Sequence, residues 1–326
     1  MLLRGGFGIT EMVLITGGFG YLGGRLAQYL DLNGYNEIFL GSRTEKKSPA
    51  WLSNAKVVRT QWDSSANLEK ICAGVDVIVH MAGMNAQDCA DNPVAAIDFN
   101  GVCTSRLLNA AVMQGVKRFV YLSTAHVYNA PLSGEITENS CPANLHPYAT
   151  SHRAGEDVVR EAAEKGEIEG VVIRLSNAFG TPAHKEANCW NLLMNNLCYQ
   201  SVASRKMVLQ STGVQRRNFI TIANVCRAIS HLMELPRDKL ENGVFNVGDK
   251  TMRVIDMAEM VQSRCVEVLG YAPEIVHLDH LQDEESVELD YRIDKLLSSG
   301  FSLSPSFSHE IDATLKMCRE EFGEHI

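Results

Sequence analysis

The chain has 326 residues, 45% of them hydrophobic and 21% charged, and its 25 glycines and 9 prolines leave no room for a collagenous, low-complexity or disordered protein. Thirty Lys and Arg against 39 Asp and Glu give a net charge of −9, which excludes the basic footprint of a general nucleic-acid or anionic-membrane binder. That length suits one large α/β unit or two lobes, and an anionic ligand must be held by a few placed arginines and helix N-termini.

Gly5-Gly6-Phe7-Gly8 and Gly17-Gly18-Phe19-Gly20 are identical, but only the second follows a strand pattern and opens a helix. Residues 1–11 read as an extension belonging to neither lobe; with Arg4 as their one positive side chain and no apolar stretch, they are not a secretory signal. Met12–Thr16 is the first buried strand, and Tyr21–Asn33 a helix with Leu22, Leu26, Tyr29 and Leu30 on one face and Gly34 beyond its end. Strands are expected at 37–40, 56–58, 75–79, 118–122 and 170–173, separated by helices at 68–73, 94–114 and 147–165. This alternation implies a Rossmann-type, doubly wound parallel sheet of the α/β class. After residue 176 the rhythm changes. Trp190, Leu193 and Leu197 mark one helix, others are expected near 222–235, 254–269, 293–299 and 308–322, and short strands at 243–247 and 274–277. The expected organisation is a cofactor lobe over 12–176 and a smaller mixed α/β substrate lobe over 177–326, with 217–235 and 244–262 packing back on the first. The nine cysteines, at 72, 89, 103, 141, 189, 198, 226, 265 and 318, form no C-x-x-C and no metal spacing. They read as reduced thiols of a cytoplasmic protein without a metal site, and no run of 18 apolar residues predicts a membrane span.

Gly17-Gly18-Phe19-Gly20-Tyr21-Leu22-Gly23 lies between a strand and a helix in the first βαβ unit. Gly17 permits the tight turn, Gly20 lets backbone approach a pyrophosphate, and Gly23 allows close helix packing, with helix N–H groups facing the phosphates. The bland alternative is a tight turn that binds nothing. Roughly 20 residues on, where an NAD site carries an acidic residue, the chain reads Gly41-Ser42-Arg43. A carboxylate would repel a 2′-phosphate, whereas serine and arginine would bind it, so NADP(H) is favoured over NAD(H). Otherwise Arg43 and Lys46-Lys47 form a solvated loop. Asp63, after the third strand, is placed to contact the adenine.

These segments, with His80-Met81-Ala82-Gly83, Asn100-Gly101-Val102, Leu122 to Tyr128, Tyr148-Ala-Thr-Ser-His152, Arg174 to Gly180, Gly213 to Ile220 and Phe245-Asn-Val-Gly248, resemble the extended short-chain dehydrogenase/reductase family of nucleotide-sugar enzymes. The resemblance covers nearly all the chain after residue 11. It implies that Tyr21, Leu22, Met81, Ala82, Gly83, Asn100 and Ser123 lie around the cofactor with Tyr148 and His152. It also implies that Thr124 hydrogen-bonds the reacting oxygen and that Tyr148 is the general acid/base.

In that family a lysine four residues after the tyrosine lowers its pKa and holds the nicotinamide ribose. Here the position is His152. Residues i and i+4 share a helix face, so the imidazole can occupy the lysine's place, but with a reference pKa near 6.5 it is mostly neutral at pH 7. Three consequences stay open: a slower or acid-shifted reaction, a second cation or water relay, or a degenerate site that binds cofactor without turnover. Arg153 lies about 100° around the helix and cannot simply stand in.

The family's dehydratases carry Asp-Glu after the catalytic threonine; this chain has Ala125-His126, which disfavours dehydration and leaves His126 as a substrate-facing or loop residue. Asn177, Arg217 and Arg292 match positions that contact a nucleotide-sugar diphosphate, a task suited to the planar arginine fork, although Asn218 and Asn224 replace two usual aspartates. Surface ion pairs are the alternative for each arginine. The favoured activity is NADP(H)-dependent reduction of a nucleotide-linked keto sugar of the 4-keto-6-deoxyhexose type. An NAD-dependent 4-epimerase and a catalytically weak sensor or scaffold are the alternatives. The expected partners are a small-molecule substrate and a second copy of the chain, a homodimer through helices 94–114 and 147–165.

Overall fold

A computed structural model describes residues 9–277 and 286–323, so the Gly5–Gly8 tetrapeptide lies outside the described residues. The first strand runs Ile9–Thr16 rather than starting at Met12. Its parallel partner Tyr35–Ser42 is likewise longer than the expected 37–40, and the pairing is irregular between Ile9 and Met12. Apolar runs mark only the buried middle of a strand, whereas backbone pairing continues into its polar flanks.

The alternation then follows as expected: helix Tyr21–Leu32, strand Lys56–Arg59, helix Ser65–Cys72, strands Val77–His80 and Arg118–Thr124, helix Pro147–Glu164 and strand Glu169–Leu175. The single helix expected over 94–114 is instead Pro93–Ala96, a π-helical stretch Ile97–Cys103 and Thr104–Met113. Such widened turns recur at functional sites, and this one contains the buried Asn100.

Seven strands form one sheet in the order Val244–Val247, Glu169–Leu175, Arg118–Thr124, Val77–His80, Ile9–Thr16, Tyr35–Ser42, Lys56–Arg59. Chain order reverses between Ile9–Thr16 and Val77–His80, which pair in parallel with Thr16 opposite His80. This is the expected doubly wound α/β sheet, and open sheets of this kind bind ligands at the carboxyl ends of the strands where the order reverses.

The chain divides into two compact units. The first holds the described part of Met1–Ala130 with Cys141–Arg174 and Cys226–Phe245; the second holds Pro131–Ser140, Leu175–Val225 and the described part of Asn246–Ile326. The first unit takes in residues 226–235 and 244–245 of the two segments expected to return to it, 217–235 and 244–262, and strand Val244–Val247 joins its sheet. Strand Arg216–Thr221 pairs instead with Lys250–Arg253 and Asn177–Phe179 inside the second unit, short polar strands with no apolar run to announce them. The second unit's core is built by helices Leu193–Ala203, Val254–Leu269 and Phe307–Phe322, with Leu197, Val261 and Leu315 fully enclosed. All nine cysteines are free thiols and eight are buried. Among the described residues no helix is long and apolar enough to cross a membrane, and no cluster of three His, Cys, Asp or Glu could hold a metal ion.

Candidate active site

The turn from Ile9–Thr16 into Tyr21–Leu32 forms a cradle of backbone. Gly17 has φ +69°, and a Cβ there would stand 3.0 Å from Ala82 N. A Cβ on Gly23 would come within 2.3 Å of Gly17 O, so the helix rests directly on the loop backbone. Gly20 is exposed, and a Cβ there would meet Gly17 O alone, at 3.0 Å. The helix has no side-chain cap and no acidic residue in its first turn, where Tyr21 and Leu22 sit, so no carboxylate there opposes an anion at its positive end. A dinucleotide pyrophosphate fits this cradle.

At the end of the second strand Gly41 and Ser42 are buried and Arg43 is exposed, with no ion-pair partner among the described residues. Lys46 Nζ stands 4.4 Å from the ring centroid of Phe19, inside the glycine loop. Nothing in the sequence signalled this contact. Asp63, expected at the adenine, is exposed and its carboxylate pairs with Arg106 at 2.7 Å.

A buried chain of hydrogen bonds ties the cradle to the neighbouring strands. Thr16 Oγ1 accepts from Met81 N at 3.1 Å and Ala82 N at 3.3 Å, and lies 2.6 Å from His80 Nδ1. His80 Nε2 lies 2.9 Å from Thr104 Oγ1, whose single proton goes to Asn100 O at 2.7 Å. Thr104 must therefore accept from Nε2–H, and Thr16 must donate to Nδ1. Burial, with His152 nearby, pushes the His80 pKa down to about 3, so the ring is neutral as this chain requires. Asn100 Oδ1 accepts from Met84 N at 2.9 Å, holding the backbone just beyond Gly83, and its Nδ2 donates to Ser151 Oγ at 3.0 Å.

Helix Pro147–Glu164 begins with Pro147 at its first position and His146 Nδ1 accepting from Tyr148 N at 3.2 Å. The inward face then carries Tyr148, Ser151, His152, Gly155 and Glu156. Thr124 is buried at the end of Arg118–Thr124 and its Oγ1 accepts from His126 N at 3.1 Å, which leaves its own proton for Tyr148 or a reacting oxygen. Burial raises the Tyr148 pKa, and the Thr124 hydroxyl works against that rise. The Tyr148 and His152 rings meet edge-on with centroids 4.6 Å apart. His152 is only 7% exposed, and burial lowers its pKa to about 4. Its charge is therefore lost well below pH 6.5, and the acid-shifted activation expected of an ordinary imidazole would have to lie near pH 4. Arg153 turns away to donate to Pro142 O at 3.0 Å and supplies no second cation.

Residues 13–248 match the NAD dependent epimerase/dehydratase family. The chain belongs to this family. As such it is an NAD(P)-dependent enzyme, and similar proteins include dTDP-D-glucose 4,6-dehydratase of Mus musculus, 26% identical over 96% of this chain and 90% of that one. A dTDP-4-dehydro-6-deoxy-D-allose reductase of Streptomyces is 26% identical over 82% of this chain and 83% of the relative. Among solved structures, UDP-N-acetylglucosamine 4-epimerase of Methanobrevibacter ruminantium M1 superposes with TM-score 0.80 at 19% identity, covering 96% of this chain and 99% of that one. UDP-glucuronic acid 4-epimerase of Bacillus cereus, in complex with UDP-glucuronic acid and NAD, does so with TM-score 0.77 at 20% identity, covering 96% and 100%. At those identities the superpositions show the fold.

In this epimerase/dehydratase chain Ser123, expected beside the cofactor, turns its hydroxyl to Glu156 Oε1 at 2.5 Å. Glu156 also holds Arg174 at 2.7 Å, with both side chains at most 3% exposed, and Arg174 reaches Tyr128 Oη at 2.9 Å. Glu156 is one helical turn past His152 and was legible only as that i+4 spacing. His126 is exposed and its carbonyl accepts from Asn144 at 2.7 Å.

Within the second unit, Asn177 Nδ2 donates to Asn218 O at 2.9 Å. Arg217 has no ion-pair partner among the described residues, and crowding by protein atoms lowers its pKa although its surface is partly open. A guanidinium at the surface without a carboxylate partner is a ready anion ligand. Arg292 is not: Asp294 holds it at 2.7 Å, and Asp290 and Glu135 each lie at 3.5 Å. Three acids around one base leave no attraction for a diphosphate, so the surface ion pair prevails there. Asn218 and Asn224 serve as backbone clips: Asn218 binds Asp249 N and O at 3.1 Å each, and Asn224 binds Ser304 N at 3.0 Å and O at 2.9 Å.

Proposed function

We propose that this chain is an NADP(H)-dependent reductase of a nucleotide-linked keto sugar, of the 4-keto-6-deoxyhexose type. One observation carries the reading: Gly41-Ser42-Arg43 presents no carboxylate to the ribose hydroxyls, while Lys46 stands beside the glycine loop. That charge suits a 2′-phosphate. Ser42, Arg43 and Lys46 hold it, Gly17, Gly20 and Gly23 with the helix N-terminus hold the pyrophosphate, and His152 addresses the nicotinamide ribose. When bound, the cofactor supplies hydride to the carbonyl carbon. Thr124 polarises the carbonyl oxygen, and Tyr148 delivers the proton to it. Arg217, with Asn177 nearby on the adjoining strand, takes the substrate diphosphate. The named relatives that act on nucleotide sugars support this substrate class. Dehydration is disfavoured because Ala125 is in the core and His126 is exposed, with no carboxyl pair beside Thr124.

Two readings compete on specific observations. A solved 4-epimerase that binds NAD favours a bound-NAD epimerase; a neutral His152 favours a site without turnover. Denaturing the purified protein and identifying any released nucleotide separates the epimerase, which would release stoichiometric NAD. NADPH oxidation with a panel of 4-keto nucleotide sugars between about pH 5.5 and 8 tests the reductase. An unchanged rate in Tyr148→Phe would overturn the assignment of the acid. The same reading includes a homodimer through helices 94–114 and 147–165, supported by the exposed apolar side chains of Val94, Val102 and Met113. A monomeric mass by light scattering would refute it.

A further inference from the structure

The buried ring of His152 has two nitrogens in different surroundings. Nδ1 lies 3.1 Å from Tyr121 Oη. Nε2 faces Gly83, where a Cβ would stand 3.8 Å from it and 3.5 Å from Cε1. Gly83 is exposed, so the Nε2 edge of the largely buried ring packs against a residue at the protein surface. Tyr121 is itself placed by the sheet, opposite His80, and reaches the helix because residue 155 is glycine: a Cβ there would be 2.3 Å from Tyr121 Oη.

Tyr121 has one proton to give. The alternative acceptor on the same residue, His152 O, is at 3.4 Å and sits inside a helix whose carbonyls already accept from the next turn. Thr104 Oγ1, the other hydroxyl nearby, already donates to Asn100 O and accepts from His80 Nε2–H, whereas His152 Nδ1 stands at hydrogen-bond distance from the phenol. We infer that the Tyr121 hydroxyl donates to Nδ1 of His152 and holds the ring as the Nε2–H tautomer, which makes Tyr121 a positioning residue for this site. The hydrogen bond made by one imidazole nitrogen decides what the other can do. Here it leaves a single neutral N–H donor aimed past Gly83. Building on the proposed function, that donor meets a hydroxyl oxygen of the cofactor ribose, where an acceptor nitrogen would have to wait for the hydroxyl's own proton. Tyr121 thus converts a histidine, which could present either edge chemistry, into a fixed donor.

Nitrogen-15 histidine labelling decides the matter in the unmodified protein. In the long-range proton–nitrogen spectrum at pH 7, the set of signals lost in His152→Gln belongs to His152. Its Nδ1 is expected to be the unprotonated nitrogen and its Nε2 the protonated one; the reverse pattern, or a mixture, overturns the inference. In Tyr121→Phe the tautomers are expected to mix and the dissociation constant for NADPH to rise about fivefold, the worth of one ordinary hydrogen bond. A folded Tyr121→Phe protein that keeps a pure Nε2–H ring and wild-type affinity also overturns it. The spectrum needs no turnover, so a protein that reduces no keto sugar but shows the expected tautomer refutes the reductase reading and leaves this one standing.

Discussion

Replacing Gly20 and Gly23 separately by alanine distinguishes two roles that a glycine loop can play. A methyl at residue 23 would lie 2.3 Å from Gly17 O, about 1 Å inside ordinary contact, and would also crowd Gly17 C at 2.9 Å and Gly18 Cα at 3.0 Å. All three obstacles are backbone, so the loop itself must retreat, weakening the 2.8 Å bond from Gly20 N to Gly17 O. Overpacking of this kind costs about 1–3 kcal/mol. At residue 20 the backbone has φ −80° and ψ 178°, which alanine adopts freely, and the new methyl meets Gly17 O alone, at 3.0 Å. Gly20→Ala should therefore change stability by no more than about 1 kcal/mol in either direction. Its methyl instead fills the space through which a pyrophosphate approaches, and nucleotide affinity should fall at least tenfold, or about 1.4 kcal/mol. Urea denaturation and titration calorimetry with NADPH and NAD⁺ read the two quantities separately. The expected pattern is lost binding with preserved stability for Gly20→Ala, and loss of both for Gly23→Ala. Wild-type affinity in Gly20→Ala, or wild-type stability in Gly23→Ala, would refute the reasoning.

Three further outcomes are expected. His80 and His152 have folded pKa values of about 3 and about 4, below the ordinary 6.5, so the unfolded chain binds more protons through the acid range. Their stabilisation is complete above about pH 6.5 and falls on acidification, by roughly 2 kcal/mol each at pH 5; equal urea midpoints at pH 7 and pH 5 would contradict this. Glu156→Gln strands the buried Arg174 charge and should cost about 3–5 kcal/mol, read as a large drop in melting temperature, whereas an unchanged melting temperature would show the pair to be dispensable. Arg217→Ala should raise KM for a nucleotide sugar about tenfold or more, and Arg292→Ala should leave it nearly unchanged; the opposite ranking would reassign the diphosphate ligand.

How much was legible in advance depended on how locally each feature is specified. Gly17-Gly18-Phe19-Gly20, set between a β-branched run and an amphipathic helix, identifies a tight strand-to-helix turn because both its conformation and its contacts are largely local. Tyr148 and His152 are related by helical periodicity, so their shared face follows from spacing. The short strands Arg216–Thr221 and Lys250–Arg253 depend on partners distant in the chain, each other and Asn177–Phe179, and their largely polar sequences carry little strand signal.

The sequence by itself determined the alternation of strands and helices and the glycine turn, since these rest on local periodicity, and it named Thr124, Tyr148 and His152 through their resemblance to a family's motifs. Tertiary structure alone decided which charges remain free. Arg217 and Arg292 look alike in sequence, yet one has no carboxylate partner among the described residues and the other is claimed by Asp294, Asp290 and Glu135. Likewise, burial makes His152 neutral and Tyr121 supplies its partner. Electrostatic roles depend on solvent and on neighbours distant in the chain, and only packing brings those together.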